Sequence, residues 1–284
     1  MKKGILNLII ALLVTVSYAQ APEKNDLHQL DLKGNVKSVH QTWYWAKDNS
    51  GVVAKGKKIC KDDMVESKIL LNDKGNKTED SRFNADGNLT LKLVYDYDDK
   101  GLCSVEDRYN SDGMMARHRK FAYKYDDAGK VIEEDFLGVQ ITYGKTTYTY
   151  DSKGNVIEKS WFNSDGTVGM KETSKYDDNG NMIETTNYVR DGKPEWRITY
   201  KMDASGKLAE ETWYKNGTKF FITYTYSYDE QGRKTEMHYL NEKRKSYMKW
   251  TFKRVYDSHG NWTQEIQYRN DKPNTISERV IEYS

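Results

Sequence analysis

The sequence has little cysteine, little proline and little net charge. Two cysteines and three prolines among 284 residues exclude a disulfide-rich scaffold and a proline-rich linker. Lys and Arg outnumber Asp and Glu by only two, and this excess disappears if the amino-terminal segment with Lys2 and Lys3 is removed. Because no basic surplus remains to attract phosphates, we predict no nucleic-acid partner.

A long apolar run occurs once, near the amino terminus. Residues 5–16 are mostly apolar, follow Lys2 and Lys3, and precede Ser17-Tyr18-Ala19. This pattern is typical of a cleaved signal peptide, because the run is too short to span a membrane comfortably and small residues stand at the cleavage position. We predict a signal peptide over 1–19, no membrane span after cleavage, and export to the periplasm, the cell surface or the medium.

Cysteine and histidine give no evidence of a metal site. Export permits a disulfide, and Cys60 and Cys103 are its only candidates. Their spacing is equally compatible with two free thiols. The five histidines are scattered through the chain, so a metal would lack ligands. We predict no metal and no cofactor.

What the chain does contain is a repeat with a period of about 26 residues. A glycine returns at positions 75, 101, 129, 154, 180, 206, 232 and 260. Asp, or Asn72 in the first repeat, stands three residues before each of these glycines. This spacing predicts a tight turn in which the Asp side chain accepts backbone hydrogen bonds and Gly adopts positive φ. A second turn signal, Asp-Gly or Asn-Gly, follows most of these glycines by roughly twelve residues.

Each repeat is therefore predicted to be two antiparallel strands. We expect an all-β fold, an antiparallel β-hairpin array that forms one long curled sheet or an open barrel-like shell. The array occupies 30–284 as a single domain after a lead-in at 20–29, and an insertion covers about 44–63. We expect a monomer.

Period-two alternation predicts the faces of the sheet. Tyrosine predominates four and six residues before each repeat glycine, as in Tyr148 and Tyr150, which predicts an aromatic buried face. The eighth residue after each glycine is apolar and is expected on that same face. Six glutamates four residues after the glycine are also expected there, with a framework role: Glu79, Glu133, Glu158, Glu184, Glu210 and Glu236.

The segments Tyr150-Asp151-Ser152-Lys153-Gly154-Asn155 and Tyr176-Asp177-Asp178-Asn179-Gly180-Asn181 resemble the YD repeat of Rhs-type bacterial proteins and teneurins. The resemblance covers roughly 30–284. It implies hairpins that spiral into a hollow shell, which in some members of the family encloses a carboxy-terminal toxin. Shorter segments such as Tyr214-Lys215-Asn216-Gly217 resemble MORN-type repeats more weakly.

No pattern in the sequence is typical of an active site, and we predict a protein that is not an enzyme. The expected function is a non-catalytic scaffold that binds carbohydrate or protein. The alternative is a glycan-acting hydrolase that uses part of the glutamate column. Candidate ligand contacts are side chains that the repeat does not require, namely Trp43, Trp45, Lys55, Lys57, Lys58, Trp161 and Trp213. The run Arg117-His118-Arg119-Lys120 is interpreted as a solvated strand end.

We expect the mature chain to begin at Gln20. Mass analysis of the amino terminus of exported protein checks this prediction. Recovery of a membrane fraction that retains Lys2 and Lys3 would contradict it.

Overall fold

The computed structural model describes residues 25–59, 65–138, 144–241 and 246–284, and the side chains of 246 and 247 are not considered. The predicted signal peptide and Cys60 lie outside the described residues. The predicted all-β class is confirmed. A short helix, α1 (Asp26–Gln29), precedes nineteen strands. Within these ranges no helix is both long and apolar enough to cross a bilayer.

The first ten strands are β1 (Val36–Asn49), β2 (Val52–Lys58), β3 (Glu66–Leu71), β4 (Lys77–Phe83), β5 (Leu89–Tyr97), β6 (Cys103–Asn110), β7 (Met115–Tyr125), β8 (Val131–Gly138), β9 (Lys145–Tyr150) and β10 (Val156–Phe162). The remaining nine are β11 (Val168–Tyr176), β12 (Met182–Val189), β13 (Pro194–Met202), β14 (Leu208–Lys215), β15 (Lys219–Tyr228), β16 (Lys234–Asn241), β17 (Ser246–Tyr256), β18 (Trp262–Arg269) and β19 (Lys272–Tyr283).

The sheet closes on itself. From β3 to β19 each strand pairs antiparallel with the next, and β1 pairs with β19 on one side and with β3 on the other. Because β2 forms only a hairpin with β1, eighteen strands make the ring. The expected curled sheet or open shell is therefore corrected to a closed barrel. Closure gives both end strands of the ring a partner, so the ring itself has no free edge, which period-two patterning alone does not reveal.

The repeat turns have the predicted chemistry. Asp177 Oδ1 accepts the backbone N–H groups of Asn179 and Asn181 at 3.0 and 2.8 Å. Gly180 adopts φ +83° and donates its N–H to the Asp177 carbonyl at 3.1 Å. Asn72 accepts the same pair of N–H groups in the first repeat. An Asp or Asn side chain and a glycine at positive φ therefore build the turn at this end of the barrel.

A β-bulge follows each of these turns and changes which face a side chain occupies. Tyr176 lies opposite Met182 while Lys175 lies opposite Glu184, so Ile183 is an extra residue in its strand. The extra residue reverses the alternation expected from the turn. Glutamates at the fourth position after the glycine therefore lie on the face opposite the tyrosines.

Two face assignments made from the sequence were wrong for this reason. The six glutamates of the repeat column share a face with lysines rather than with tyrosines. The same correction applies to the eighth residues after the glycines, which are Phe83, Tyr109, Leu137, Phe162, Tyr188, Tyr214, Leu240 and Tyr268. When side chains are assigned to faces by two-residue alternation, the extra residue of a bulge shifts every later assignment in the strand by one residue and so to the opposite face.

The tyrosine face lines the inside of the barrel. The amino-terminal segment packs there, where Leu32 contacts Val36, Val39 and Leu71 in a small apolar cluster. Lysines on the opposite face are well exposed, as for Lys175 with 70% of its side-chain surface accessible. Eighteen strands spaced about 4.8 Å apart and tilted by about 40° give a ring of roughly 35 Å backbone diameter. Such a ring encloses an aqueous space rather than a continuous apolar core.

The tyrosine hydroxyls satisfy backbone carbonyls at the bulges. Tyr176 donates to the Val156 carbonyl at 2.8 Å, and Val156 lies beyond the β10–β11 ladder, which begins at Glu158 and Thr173. The equivalent bonds run from Tyr97 to Lys77, from Tyr123 to Cys103, from Tyr150 to Val131 and from Tyr228 to Leu208, at 2.6 to 2.9 Å. A carbonyl without a ladder partner needs such a donor, so these five hairpins are tied to the preceding bulge, and Arg254 donates to the Lys234 carbonyl in the same way.

Replacing Tyr176 by Phe should lower the free energy of unfolding by about 1–3 kcal/mol, because the Val156 carbonyl loses its donor while ring packing is kept. Tyr188→Phe is the matched control, since Tyr188 lies on the outer face and its hydroxyl donates no hydrogen bond within the described part of the chain. Urea denaturation of both variants checks the prediction. Equal losses in the two variants would contradict it.

Candidate functional site

Five carboxylates line the inner wall at the fifth position after the repeat glycine. Sequence reasoning missed them because the bulge moves the inward column from the fourth residue to the fifth. Each has a hydrogen-bond or ion-pair partner on the same wall, and the pairs are Asp80–Arg82, Glu106–Arg117, Glu134–Tyr148, Glu211–Trp213 and Glu265–Arg254. The inner wall is therefore a polar network interleaved with aromatic rings.

Glu211 is a half-buried carboxylate of this column. Its Oε1 accepts Trp213 Nε1–H at 2.6 Å, and the Tyr226 hydroxyl also hydrogen-bonds to it. Burial raises the pKa of Glu211 above its usual value, and the hydrogen bonds from Trp213 and Tyr226 together with the charge of Lys234 only partly oppose that effect. A charge held in this position costs stability at neutral pH.

Two cations on the inner wall, Lys234 and Arg279, lie against aromatic rings. Burial lowers the pKa of Lys234, whose Nζ lies 4.6 Å from the centre of the Tyr226 ring. Arg279 has its guanidinium carbon 3.6 Å from the Trp262 ring centre, and burial lowers its pKa to about 10. Cation–π contacts of this kind stabilise desolvated cations. They give the wall aromatic faces with charged groups beside them.

The outer glutamate column is uniformly paired with basic residues across neighbouring strands. The pairs are Glu79–Lys92, Glu133–Lys145, Glu158–Lys171, Glu184–Lys175, Glu210–Lys201 and Glu236–Lys249, with N–O distances of 2.7 to 3.3 Å. Exposed pairs such as these contribute little stability individually. They leave no two convergent unpaired carboxylates in this column, which is the arrangement that acid–base hydrolysis of a glycan would require.

The described part of the predicted insertion, residues 44–59, forms most of a β-hairpin at one rim of the barrel. Its first strand carries Trp45, which is 46% exposed and lies opposite Thr275 in the inward register. Lys55 is paired with Glu278 at 2.9 Å, and Lys58 is paired with Glu66. Two of the three candidate lysines are therefore held in ion pairs at this rim.

The structure brings five of the candidate residues together at this rim and leaves two elsewhere. Trp43, Trp45, Lys55, Lys57 and Lys58 all belong to β1 and β2, and Lys57 is exposed. Trp161 lies on the inner wall in β10, where the Lys159 Nζ is 4.7 Å from its ring centre. Trp213 lies on the inner wall in β14, with its ring 5.8 Å from that of Trp196, and Trp196 also meets Phe221 at 5.2 Å.

Cys103 is part of the wall rather than a reactive group. Its Sγ lies 3.3 Å from the Val105 carbonyl oxygen, to which it donates, and burial raises the pKa of the thiol to about 12. Its predicted partner, Cys60, lies outside the described residues, so the proposed disulfide stays a prediction. In the described part of the chain no three His, Cys, Asp or Glu side chains converge on a position that would hold a metal ion.

Comparison with known proteins identifies no family. No family model and no curated protein matches the sequence. A structure of a TcdB2–TccC3 complex with Cdc42 is similar at 14% identity over 75% of this chain, with a TM-score of 0.39, and this chain spans 12% of its length. A porin-like protein from Bacteroides uniformis is similar at 11% identity over 88% of this chain and 98% of its own, with a TM-score of 0.42. A porin-like protein from Bacteroides vulgatus has the same identity and coverage with a TM-score of 0.30.

Replacing Glu211 by Gln should stabilise the protein at pH 7 and give no gain near pH 4. The folded pKa of Glu211 is raised by burial, so the folded state binds a proton more tightly than the unfolded chain. Wild-type stability therefore falls as the pH rises from the unfolded pKa through the folded pKa, and Gln removes that loss.

Urea denaturation of wild type and Glu211→Gln at pH 4, 5.5, 7 and 8 checks this. Glu210→Gln is the control, because Glu210 lies on the outer face and pairs with exposed Lys201. A stability difference between wild type and Glu211→Gln that stays constant across the pH range would contradict the prediction.

Proposed function

We propose that the chain is an exported, non-catalytic scaffold built from YD-like repeats, whose inner wall binds carbohydrate. It acts as a monomer in the periplasm or at the cell surface. The observation that supports this proposal is the composition of the inner wall, where half-buried aromatic rings lie beside hydrogen-bonding groups around a wide opening.

The chemistry of the wall suits a sugar polymer. Aromatic side chains such as Trp161 and Trp213 offer flat apolar surfaces, and their neighbours Lys159 and Glu211 supply polar atoms within a few ångströms. The ring of roughly 35 Å backbone diameter leaves room for an extended chain to lie along the wall. Trp45 at the rim lies on the same inward register as Trp43, which extends the aromatic surface to the barrel mouth.

The outer face supports a barrel surrounded by water. Lysines alternate with glutamates around it in the ion pairs described above, and Lys201 has 70% of its side chain accessible. A barrel that crosses a membrane needs an apolar outer band. The eighth residues after the repeat glycines form one apolar row on this face, but the rows of paired lysine and glutamate lie next to it in the same strands, as Glu184 does to Tyr188. One row is much shorter than the band of about 25 Å that a bilayer requires. We infer an aqueous compartment for the exported protein.

Catalysis on glycans is the weaker alternative. It requires two carboxylates positioned on either side of a bond, one of them free to donate a proton. The outer glutamates are occupied by basic residues, and the inner column is occupied by arginine, tyrosine and tryptophan. Uniform pairing of repeated carboxylates favours a structural role for both columns.

Affinity electrophoresis of residues 20–284 in gels that contain soluble polysaccharides tests the proposal. We expect at least one polysaccharide to retard the protein, and the double variant Trp161→Ala, Trp213→Ala to weaken that affinity about tenfold, which corresponds to about 1.4 kcal/mol. Tyr109→Ala is the matched control, because it removes an aromatic side chain from the outer face.

Affinities are compared only for variants whose far-ultraviolet circular dichroism spectrum matches that of the wild type, which shows that they fold. Absence of retardation by every polysaccharide overturns the proposal. Equal weakening by Tyr109→Ala and by the tryptophan variant would place the ligand outside the barrel and would also overturn it.

A further inference from the structure

Two arginines face each other directly on the inner wall. Arg108 of β6 and Arg117 of β7 are register partners. On its other side Arg108 lies opposite Leu93 of β5, and Leu93 lies opposite Asp80 of β4. Like charges directly across a strand pair are destabilising. An anion bound between the two guanidinium groups would remove this repulsion.

The nearest carboxylate is shared and leaves one donor without a partner. Glu106 Oε1 accepts Arg117 Nη2–H at 2.9 Å and Arg119 Nη1–H at 3.3 Å. The Arg117 Nε–H is buried and has no acceptor among the described residues. One carboxylate therefore serves two guanidinium groups, and part of the hydrogen-bonding capacity of Arg117 is unused.

A fourth arginine lies on the same wall, two strands from Arg108. Arg82 of β4 is the register partner of Leu91, and its contact with Asp80 is long, at 3.4 Å. The four arginines face two carboxylates, Asp80 and Glu106, so the patch carries a net charge of +2. Leu91 and Leu93 lie between the charged groups, and Arg108 is exposed to the space inside the barrel.

We propose that this patch, Arg82, Arg108, Arg117 and Arg119 with Leu91 and Leu93, binds the anionic group of an acidic polysaccharide. The ligand group is a carboxylate or a sulfate carried by a sugar. Planar guanidinium groups bind such oxyanions through paired N–H donors, and an anion between Arg108 and Arg117 removes their repulsion. The leucines provide an apolar surface for the sugar ring. This inference rests on the proposed carbohydrate-binding function and specifies its ligand class.

The test uses three polymers and two matched double variants of residues 20–284. Polygalacturonate presents carboxylates, dextran sulfate presents sulfates, and unmodified dextran presents neither. Arg108→Gln, Arg117→Gln removes the opposed pair. Lys120→Gln, Lys175→Gln removes two charges from the outer face, where both lysines are exposed. Arg108→Gln alone is a third variant, because Arg108 is exposed and the single change leaves the Arg117–Glu106 pair in place.

We expect the arginine double variant to lose at least tenfold in affinity for one or both anionic polymers and the lysine double variant to lose less than twofold. The polymer that is affected identifies carboxylate or sulfate as the bound group. Equal losses in the two double variants would show nonspecific charge attraction and overturn the inference. Retardation by dextran alone, unchanged in the arginine variants, overturns this inference and leaves the proposed function standing.

A thermal-melting measurement separates the remaining outcomes. Sodium sulfate is compared with sodium chloride at equal ionic strength, using wild type and Arg108→Gln. If no polysaccharide binds, the proposed function fails and the acidic-polysaccharide ligand fails with it. If sulfate then raises the Tm of wild type but not that of Arg108→Gln, the patch binds an anion that is not part of a polysaccharide.

Discussion

The bond between a tyrosine hydroxyl and a bulge carbonyl connects successive hairpins of this barrel. The turn at each repeat glycine creates a bulge, and the bulge places a carbonyl beyond the end of its ladder. A tyrosine from the following strand supplies the missing donor, as Tyr176 does for Val156. Recurrence of this bond in five repeats explains why tyrosine rather than phenylalanine predominates in the column.

Closure and the inner wall follow from the same arrangement. Bulges increase local twist and bend a strand, and a sheet with one or two bulges in each repeat curves steadily until its ends meet. With eighteen strands the interior is too wide for side chains from opposite walls to pack. The inner surface therefore tolerates charge, provided that each group finds a partner on its own wall. Glu265 with Arg254 and Glu134 with Tyr148 meet that condition.

Local chemistry was predictable from the sequence, and long-range geometry was not. Asp177 and Gly180 indicate their turn directly, because the side-chain acceptor and the positive φ are properties of those residues. The tyrosine face was also predictable, since Tyr148 and Tyr150 lie within one unbroken strand. Glu184 was placed on the wrong face because the bulge at Ile183 leaves no mark in a two-residue alternation. The inward column that contains Glu211 was missed through the same error, and the pairing of β1 with β19 depends on curvature summed over the whole chain.

The pairing of the first and last strands also limits how such a protein changes in size. Every neighbouring pair in the ring is antiparallel, including β1 with β19, so a closed ring of this kind needs an even number of strands. One repeat contributes two strands, and its gain or loss preserves that parity. Gain or loss of a single strand would bring the two ends together in parallel and break the register that closes the barrel. The diameter of the barrel can therefore change only in steps of one whole repeat, each adding or removing roughly 4 Å.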